Sequence, residues 1–346
     1  MKIVIRKKVK KDDVFIHYTG NMFGIGCSVF SQSAINRIKE LKQREGKKGL
    51  IVLLENRSWL EEYNIPVSIK MNRLLQQYWP GELTLILPDP RNNFKNLSVD
   101  GKVAFRIPTD VYLQNFIKKQ GCPIVSTSIN VSGQSAENDI KTIRSKYRNW
   151  FDHEILPKRI VKNSYQPSTI IQEEKGELLL VREGEIEFKE IERSWQKPRI
   201  LFVCTANICR SPMAHYYLKK VLEDHQLSFE VRSAGFLQSN VRISQNSYET
   251  LKENGMDAEM HISTQLSTSV VSKSWLILTM TKNHKLNLID HFPAAAGKVF
   301  TLSEYSGFQQ DIDDPYGLDI YHYRQTYNKI KKRIDSLLEK LMKEEA

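Results

Sequence analysis

From Ile200 to Ala214 the chain passes from a short apolar run, Ile200-Leu201-Phe202-Val203, through Cys204-Thr205-Ala206-Asn207-Ile208-Cys209, to Arg210-Ser211-Pro212-Met213-Ala214. A continuous apolar run this short, entered from Pro198, fits a strand buried on both faces of a parallel sheet. Ser211 then reads as a helix cap and Pro212 as the first helical residue. Strand, tight loop and helix start in immediate succession commit this half of the chain to an α/β fold. They also aim the backbone N–H groups of the loop and the helix dipole at one small volume, an anion site. A helix N-terminus and a guanidinium both favour thiolate over thiol, so Cys204 reads as a nucleophile facing a bound oxyanion. Arg210 supplies a planar fork for two phosphate oxygens, whose charge matters most while the phosphoryl group is in transfer. The chemistry these residue types suit is phosphoryl transfer to sulfur.

At 346 residues the chain exceeds what one core usually fills, so two domains are expected. Four cysteines in such a length are no disulfide framework, and the opening Met1-Lys2-Ile3-Val4-Ile5-Arg6 lacks the apolar stretch of a signal peptide. No apolar run reaches the length of a membrane span. A cytoplasmic protein with reduced thiols is the expectation. The net charge of +11 is uneven: residues 1–195 hold 32 Lys and Arg against 23 Asp and Glu, whereas residues 196–346 hold 19 against 17. A basic first half is compatible with nucleotide or RNA partners.

In that first half Val14-Phe15-Ile16-His17-Tyr18 reads as a strand, running into a turn-rich segment from Thr19 to Cys27 whose three glycines allow a ligand close to the backbone. Residues 33–44 have helical spacing, with Ala34, Ile35, Ile38 and Leu41 on one face and Lys42-Gln43-Arg44 projecting from the end. Later come Trp79-Pro80-Gly81-Glu82-Leu83-Thr84, Val103-Ala104-Phe105-Arg106, Ser126-Thr127-Ser128-Ile129-Asn130-Val131-Ser132-Gly133, Pro167-Ser168-Thr169 and Val181-Arg182-Glu183-Gly184. Glu183 to Arg193 reads as a last strand running into a linker at 194–198. Beyond it, strands are expected at 229–233, 275–278 and 298–300, helices at 213–222 and 244–254, and a long amphipathic helix at 322–342.

The second half resembles the low-molecular-weight protein tyrosine phosphatases, through Cys204-x-x-Asn207-x-Cys209-Arg210-Ser211-Pro212, Ser233-Ala234-Gly235, His261-x-Ser263, Leu276 to Met280 and Asp314-Pro315-Tyr316-Gly317. The resemblance implies a four-stranded parallel sheet flanked by helices and an enzyme that needs no cofactor or metal. It implies that Cys204 attacks phosphorus, Arg210 holds the phosphoryl oxygens, and Asp314 donates a proton to the leaving oxygen. Thr205, Ile208 and Cys209 fall in the phosphate loop. Asn207, Ser211, Ser233 and His261 match the network that supports it. Tyr316 could flank an aryl ring. Ile208, branched and apolar, matches the tyrosine-directed members; Gly317 and the absence of an aromatic at Ser239 match bacterial arginine phosphatases. Phosphotyrosine is the expected substrate, with phosphoarginine as the alternative. Ala206 and His215 replace the usual Gly and Glu.

Residues 14–188 are similar to the YrdC family, which includes the threonylcarbamoyl-AMP synthases of tRNA modification, through Lys42-x-Arg44, Trp79-Pro80-Gly81-x-Leu83-Thr84 and Ser126-Thr127-Ser128-x-Asn130-x-Ser132-Gly133. This similarity implies an open, twisted α/β sheet whose concave face joins ATP, threonine and bicarbonate with release of pyrophosphate. ATP would come with Mg. It implies a triphosphate grip at Lys42 and Arg44, adenylate contacts at Ser126, Ser128, Asn130 and Ser168, a pocket threonine at Thr19, and basic contributions from Arg106 and Arg182. Gly20 stands where the family has an acidic residue. Ile129 replaces a usual Ala, adding bulk beside the adenylate. The whole reads as a nucleotide-binding domain over 1–193, a linker at 194–198 and a phosphatase domain over 199–346. The expected partners are a phosphorylated protein, ATP, and a tRNA or tRNA-modification transferase, with no membrane. The alternative keeps an arginine phosphatase and makes the first domain a non-catalytic nucleotide- or RNA-binding module.

Overall fold

The computed structural model describes residues 9–43, 50–160, 165–237 and 240–345. The chain divides into two compact α/β units, Met1–Ser68 with Tyr78–Ile191, and Ile69–Gln77 with Glu192–Ala346. Arg44 lies outside the described residues, as do Ser239 and the first eight residues.

In the first unit nine strands are β1 Phe15–Tyr18, β2 Phe23–Ser28, β3 Ile51–Leu53, β4 Leu83–Pro88, β5 Lys102–Arg106, β6 Ile124–Ser128, β7 His153–Ile155, β8 Thr169–Glu174 and β9 Glu177–Arg182. They form one mixed sheet in the order β7-β1-β2-β6-β3-β5-β4-β8-β9. The segment from Thr19 to Cys27 is less of a loop than its glycines suggest, because Gly24 and Gly26 lie inside β2. The reason is steric: a Cβ on Gly24 would stand 2.3 Å from Cε1 of His17, and one on Gly26 2.2 Å from the Val125 carbonyl. These glycines make room for a buried imidazole and a neighbouring strand. Only Gly20 serves a turn, at φ +109°.

Ser31 starts the helix Gln32–Leu41, accepting from the Ala34 N–H at 3.1 Å, and Ala34, Ile35 and Ile38 are buried. The helix stops at Leu41, and Lys42 turns inward instead of projecting, with no exposed surface.

The second unit is built on β10 Arg199–Cys204, β11 Glu230–Gly235, β12 Leu276–Thr279 and β13 Val299–Thr301, all parallel, in the order β11-β10-β12-β13. Alternation along β10 sends Ile200 and Phe202 to one face and Leu201 and Val203 to the other. The first face packs on the helices Arg210–Asp224 and Ile320–Glu345. On the latter, Tyr323, Tyr327, Ile330, Ile334, Leu337, Leu338 and Leu341 are all buried, following the amphipathic spacing. The helix Ile69–Tyr78 contributes Arg73 to this unit, where its guanidinium lies 5.0 Å from the Phe229 ring and 5.1 Å from that of Trp275, paired with Glu344 and Glu345.

Residues 188–196 are a helix, Phe188–Gln196, where charge density suggested a strand end and linker. Ile191 and Trp195, four residues apart, are buried on one side while the charged residues cover the rest. Among the described residues no helix is long and apolar enough to cross a membrane.

Candidate active sites

Cys204 ends β10, and the loop after it doubles back into the helix Arg210–Asp224. The reversal turns on Asn207, which adopts φ +58°, a left-handed conformation that asparagine tolerates better than most residues. Three of the four polar groups of Asn207 hold the loop: Oδ1 accepts from the Thr264 N–H at 2.9 Å, the carbonyl accepts from His261 Nε2 at 2.9 Å, and Nδ2 donates to Ser211 Oγ at 2.9 Å. Ser211 Oγ accepts from Asn207 and lies 3.0 Å from Cys204 Sγ, so its proton can be given to the sulfur when that is a thiolate. Ser211 is therefore committed to the thiol and is no helix cap. Cys209 occupies the cap position, and Pro212 sits within the first turn, where its missing N–H costs nothing. Gly235 lets the loop pass across the end of β11, since a Cβ there would lie 2.8 Å from the Thr205 carbonyl and from Asn207 N.

Above the thiol is a cavity of about 400 Å³ lined by Cys204, Thr205, Ala206, Ile208, Cys209, Arg210, Leu237, Asp314 and Tyr316. Arg210 is 4% exposed, donates to the Ile312 carbonyl at 3.1 Å, and is ion-paired with Asp314. Its Nε is buried without a partner among the described residues. The buried Cys209 bonds Ser244 Oγ at 3.3 Å, and burial pushes its thiol up. Ser233, expected to support the loop, instead has its hydroxyl 3.2 Å from His215 Nδ1, and burial pushes that imidazole down to about 3. Burial also lowers His261, whose Nε2 must carry a proton to meet the Asn207 carbonyl, so His261 is scaffold. Leu237 and His284, which has Nε2 3.0 Å from Thr205 Oγ1, were not legible in sequence: neither belongs to a recognisable motif.

In the first unit a cavity of about 490 Å³ opens where strand ends converge. Thr19 after β1, Arg106 at the end of β5, Ser126 and Ser128 on β6, Asn130 after it, Ser168 before β8 and Arg182 at the end of β9 all line it. Ile129 does not; it is fully buried, so its bulk goes into the core and not beside a ligand. Lys42 is also away from the lining, and its Nζ donates to the carbonyls of Ser128 and Asn130 and to Asn130 Oδ1. A buried ammonium needs such oxygens. Its position is thus that of a brace beneath Ser128 and Asn130, not an extended grip on phosphates.

Arg106 is paired with Glu82 and donates to the Gly81 carbonyl at 2.8 Å and Asn21 Oδ1 at 3.2 Å. Asn21, unforeseen in sequence, also accepts from Thr19 Oγ1 at 2.8 Å and donates to the Gln166 carbonyl at 2.7 Å. Arg182 donates to the Ser168 carbonyl at 2.7 Å, and burial together with the charge of Arg106 lowers its proton affinity. Two guanidiniums line the cavity with no carboxylate among the described lining residues; with Arg106 already paired to Glu82, Arg182 is the charge that favours an anion there. The described lining offers no ligand set for Mg, which would have to arrive on the triphosphate.

A family model described as low molecular weight phosphotyrosine protein phosphatase matches residues 199–346, and one described as telomere recombination, the Sua5/YciO/YrdC model, matches residues 7–184. A protein-arginine-phosphatase of Geobacillus stearothermophilus is 42% identical over 150 residues, covering 42% of this chain and 98% of that protein. A low molecular weight protein-tyrosine-phosphatase of Staphylococcus haemolyticus is 39% identical over 140 residues, covering 40% and 96%. A threonylcarbamoyl-AMP synthase of Chromobacterium violaceum is 32% identical over 176 residues, covering 50% and 89%. The chain belongs to both families, as a fusion of a Sua5/YrdC domain with a low-molecular-weight phosphatase domain.

Proposed function

We propose that the chain is a bifunctional cytoplasmic enzyme: a phosphotyrosine phosphatase working through phosphocysteine, fused to an ATP-dependent threonylcarbamoyl-AMP synthase that serves tRNA modification. The phosphatase reading rests on one arrangement, the Cys204 thiol supported by Ser211 beneath a cavity that holds Arg210 and Asp314. Cys204 attacks phosphorus as the thiolate, its proton already lost to solvent; the bond from phosphorus to the leaving oxygen breaks, and Asp314, protonated before the attack, gives that oxygen its proton. Water then attacks the phosphocysteine, Asp314 takes a proton from it, the P–S bond breaks and inorganic phosphate leaves. Phosphate binding transfers Arg210 from Asp314 to the substrate oxygens, which frees the carboxyl for this work.

Tyrosine is favoured by the apolar mouth, where Ile208, Leu237 and Tyr316 can bury an aryl ring. The naming of two relatives as protein-arginine-phosphatases supports a second reading, phosphoarginine. Comparing kcat/KM on phosphotyrosine and phosphoarginine peptides decides between them. The expected ratio favours phosphotyrosine by tenfold or more, on the order of one aryl group's burial, and Ile208→Thr is expected to lower it. A wild-type preference for phosphoarginine would overturn the tyrosine reading.

For the first domain, the two guanidiniums and the hydroxyl- and amide-rich lining support ATP as the ligand, with threonine and bicarbonate as co-substrates. Arg182→Ala removes a charge-assisted contact, so ATP binding by calorimetry is expected to weaken by roughly 10- to 100-fold. Wild-type pyrophosphate release is expected to require both threonine and bicarbonate. Binding of ATP without that dependence would make the domain a nucleotide-binding module, and no ATP binding would contradict the reading altogether.

A further inference from the structure

His284 lies in the first turn of the helix Lys282–His291, far in sequence from the phosphate loop and outside its motif. Its ring is 8% exposed and stacks on Phe236, with centroids 5.8 Å apart and planes at 23°. The backbone N–H groups of Phe236 and Leu237 donate to the Thr205 carbonyl at 2.8 and 3.1 Å. Thr205 is thus held at its carbonyl by the segment that carries Phe236, and at its hydroxyl by the imidazole stacked on that ring.

Arginine only donates, and Arg210 Nη2 is 3.5 Å from Thr205 Oγ1, so the hydroxyl oxygen accepts on that side. With a second lone pair and its own proton still available, the same oxygen meets His284 Nε2 at 3.0 Å in either direction, according to the imidazole tautomer. Burial, reinforced by the nearby Arg210 charge, pushes His284 down to about 4, so the ring meets Thr205 as a neutral imidazole. His284 Nδ1 is buried without a partner among the described residues, so the ring's hydrogen bonding is to Thr205 alone.

We propose that His284 is a positioning residue: through the Thr205 hydroxyl it fixes the plane of the Arg210 guanidinium for the phosphoryl group in transfer. This rests on the phosphatase reading above. When substrate takes Arg210 from Asp314, the protein groups left among the described residues to orient the guanidinium are the Ile312 carbonyl on Nη1 and Thr205 Oγ1 on Nη2. A fork that must meet two equatorial oxygens is sensitive to its plane. Its misplacement costs rate more than ground-state binding.

The test is steady-state hydrolysis of p-nitrophenyl phosphate by the full chain, with inorganic phosphate as competing inhibitor. His284→Leu is expected to lower kcat by about tenfold, inside the range that small misplacements of reacting groups produce, while KM and the phosphate inhibition constant stay within about twofold. His284→Gln, whose side-chain oxygen can accept from Thr205, is expected to recover most of the loss. Thr205→Val breaks the same link from its other end and guards against a folding defect at His284; added to His284→Leu it is expected to cost nothing more. Unchanged kcat in both single variants, a Gln variant as slow as Leu, or additive losses would overturn the inference while leaving an active wild type as a phosphatase. An inert wild type would overturn the phosphatase reading and this inference with it.

Discussion

Cys204→Ser is expected to abolish hydrolysis of aryl phosphates. One supporting contact reaches the sulfur: Asn207 donates to Ser211 Oγ, which lies 3.0 Å from Cys204 Sγ. A serine hydroxyl placed there is shorter and far less acidic than a thiol, and the imidazole of His261, committed to the Asn207 carbonyl, cannot deprotonate it. The geometry of the phosphate loop would survive the change, because no contact that shapes the loop runs through the sulfur. Phosphate binding by calorimetry is therefore expected to persist in a variant with no turnover. Turnover retained in Cys204→Ser would mean that another nucleophile works in this cavity.

Asp314→Ala is expected to slow hydrolysis by about 10² to 10⁴, the usual worth of a positioned general acid and base. Asp314 lines the cavity beside Cys204 and Arg210, with Oδ1 accepting from the Tyr316 N–H at 3.3 Å, so the carboxyl is held at the mouth where a leaving oxygen emerges. The deficit is expected to depend on the leaving group: large for phenyl phosphate, whose phenolate needs a proton, and smaller for p-nitrophenyl phosphate, whose phenolate is stable without one. Equal deficits on both substrates would remove Asp314 from the acid role and leave it only as the counter-ion of Arg210.

The phosphate loop was legible because its parts are local. Cys204, Asn207, Arg210 and Ser211 span eight residues, and the strand before and helix after them leave the loop little freedom. What the sequence did not disclose depends on which side chain meets which across the fold. Ser211 has the composition of a cap, yet a thiol and an amide claim its hydroxyl first. Lys42 sits at a helix end, where solvent is the usual destination, but the carbonyls of Ser128 and Asn130 draw it inside. Gly24 and Gly26 resemble turn residues until His17 is seen against them. The helix Phe188–Gln196 was hidden by its charges, since only Ile191 and Trp195 mark its buried side. In the first domain the lining residues come from many separate strand ends, and sequence order alone could group them only through resemblance to a family.

In the proposed reaction the sulfur of Cys204 carries the phosphoryl group. Acid-quenching the wild-type protein during turnover of p-nitrophenyl phosphate, followed by peptide mapping under conditions that preserve thiophosphate esters, tests it directly. A phosphoryl adduct is expected on the peptide containing Cys204, enriched in Asp314→Ala when breakdown of the intermediate is the slower step, and absent in Cys204→Ser. Rapid hydrolysis with the adduct on another residue, or undiminished hydrolysis in Cys204→Ser, would contradict it.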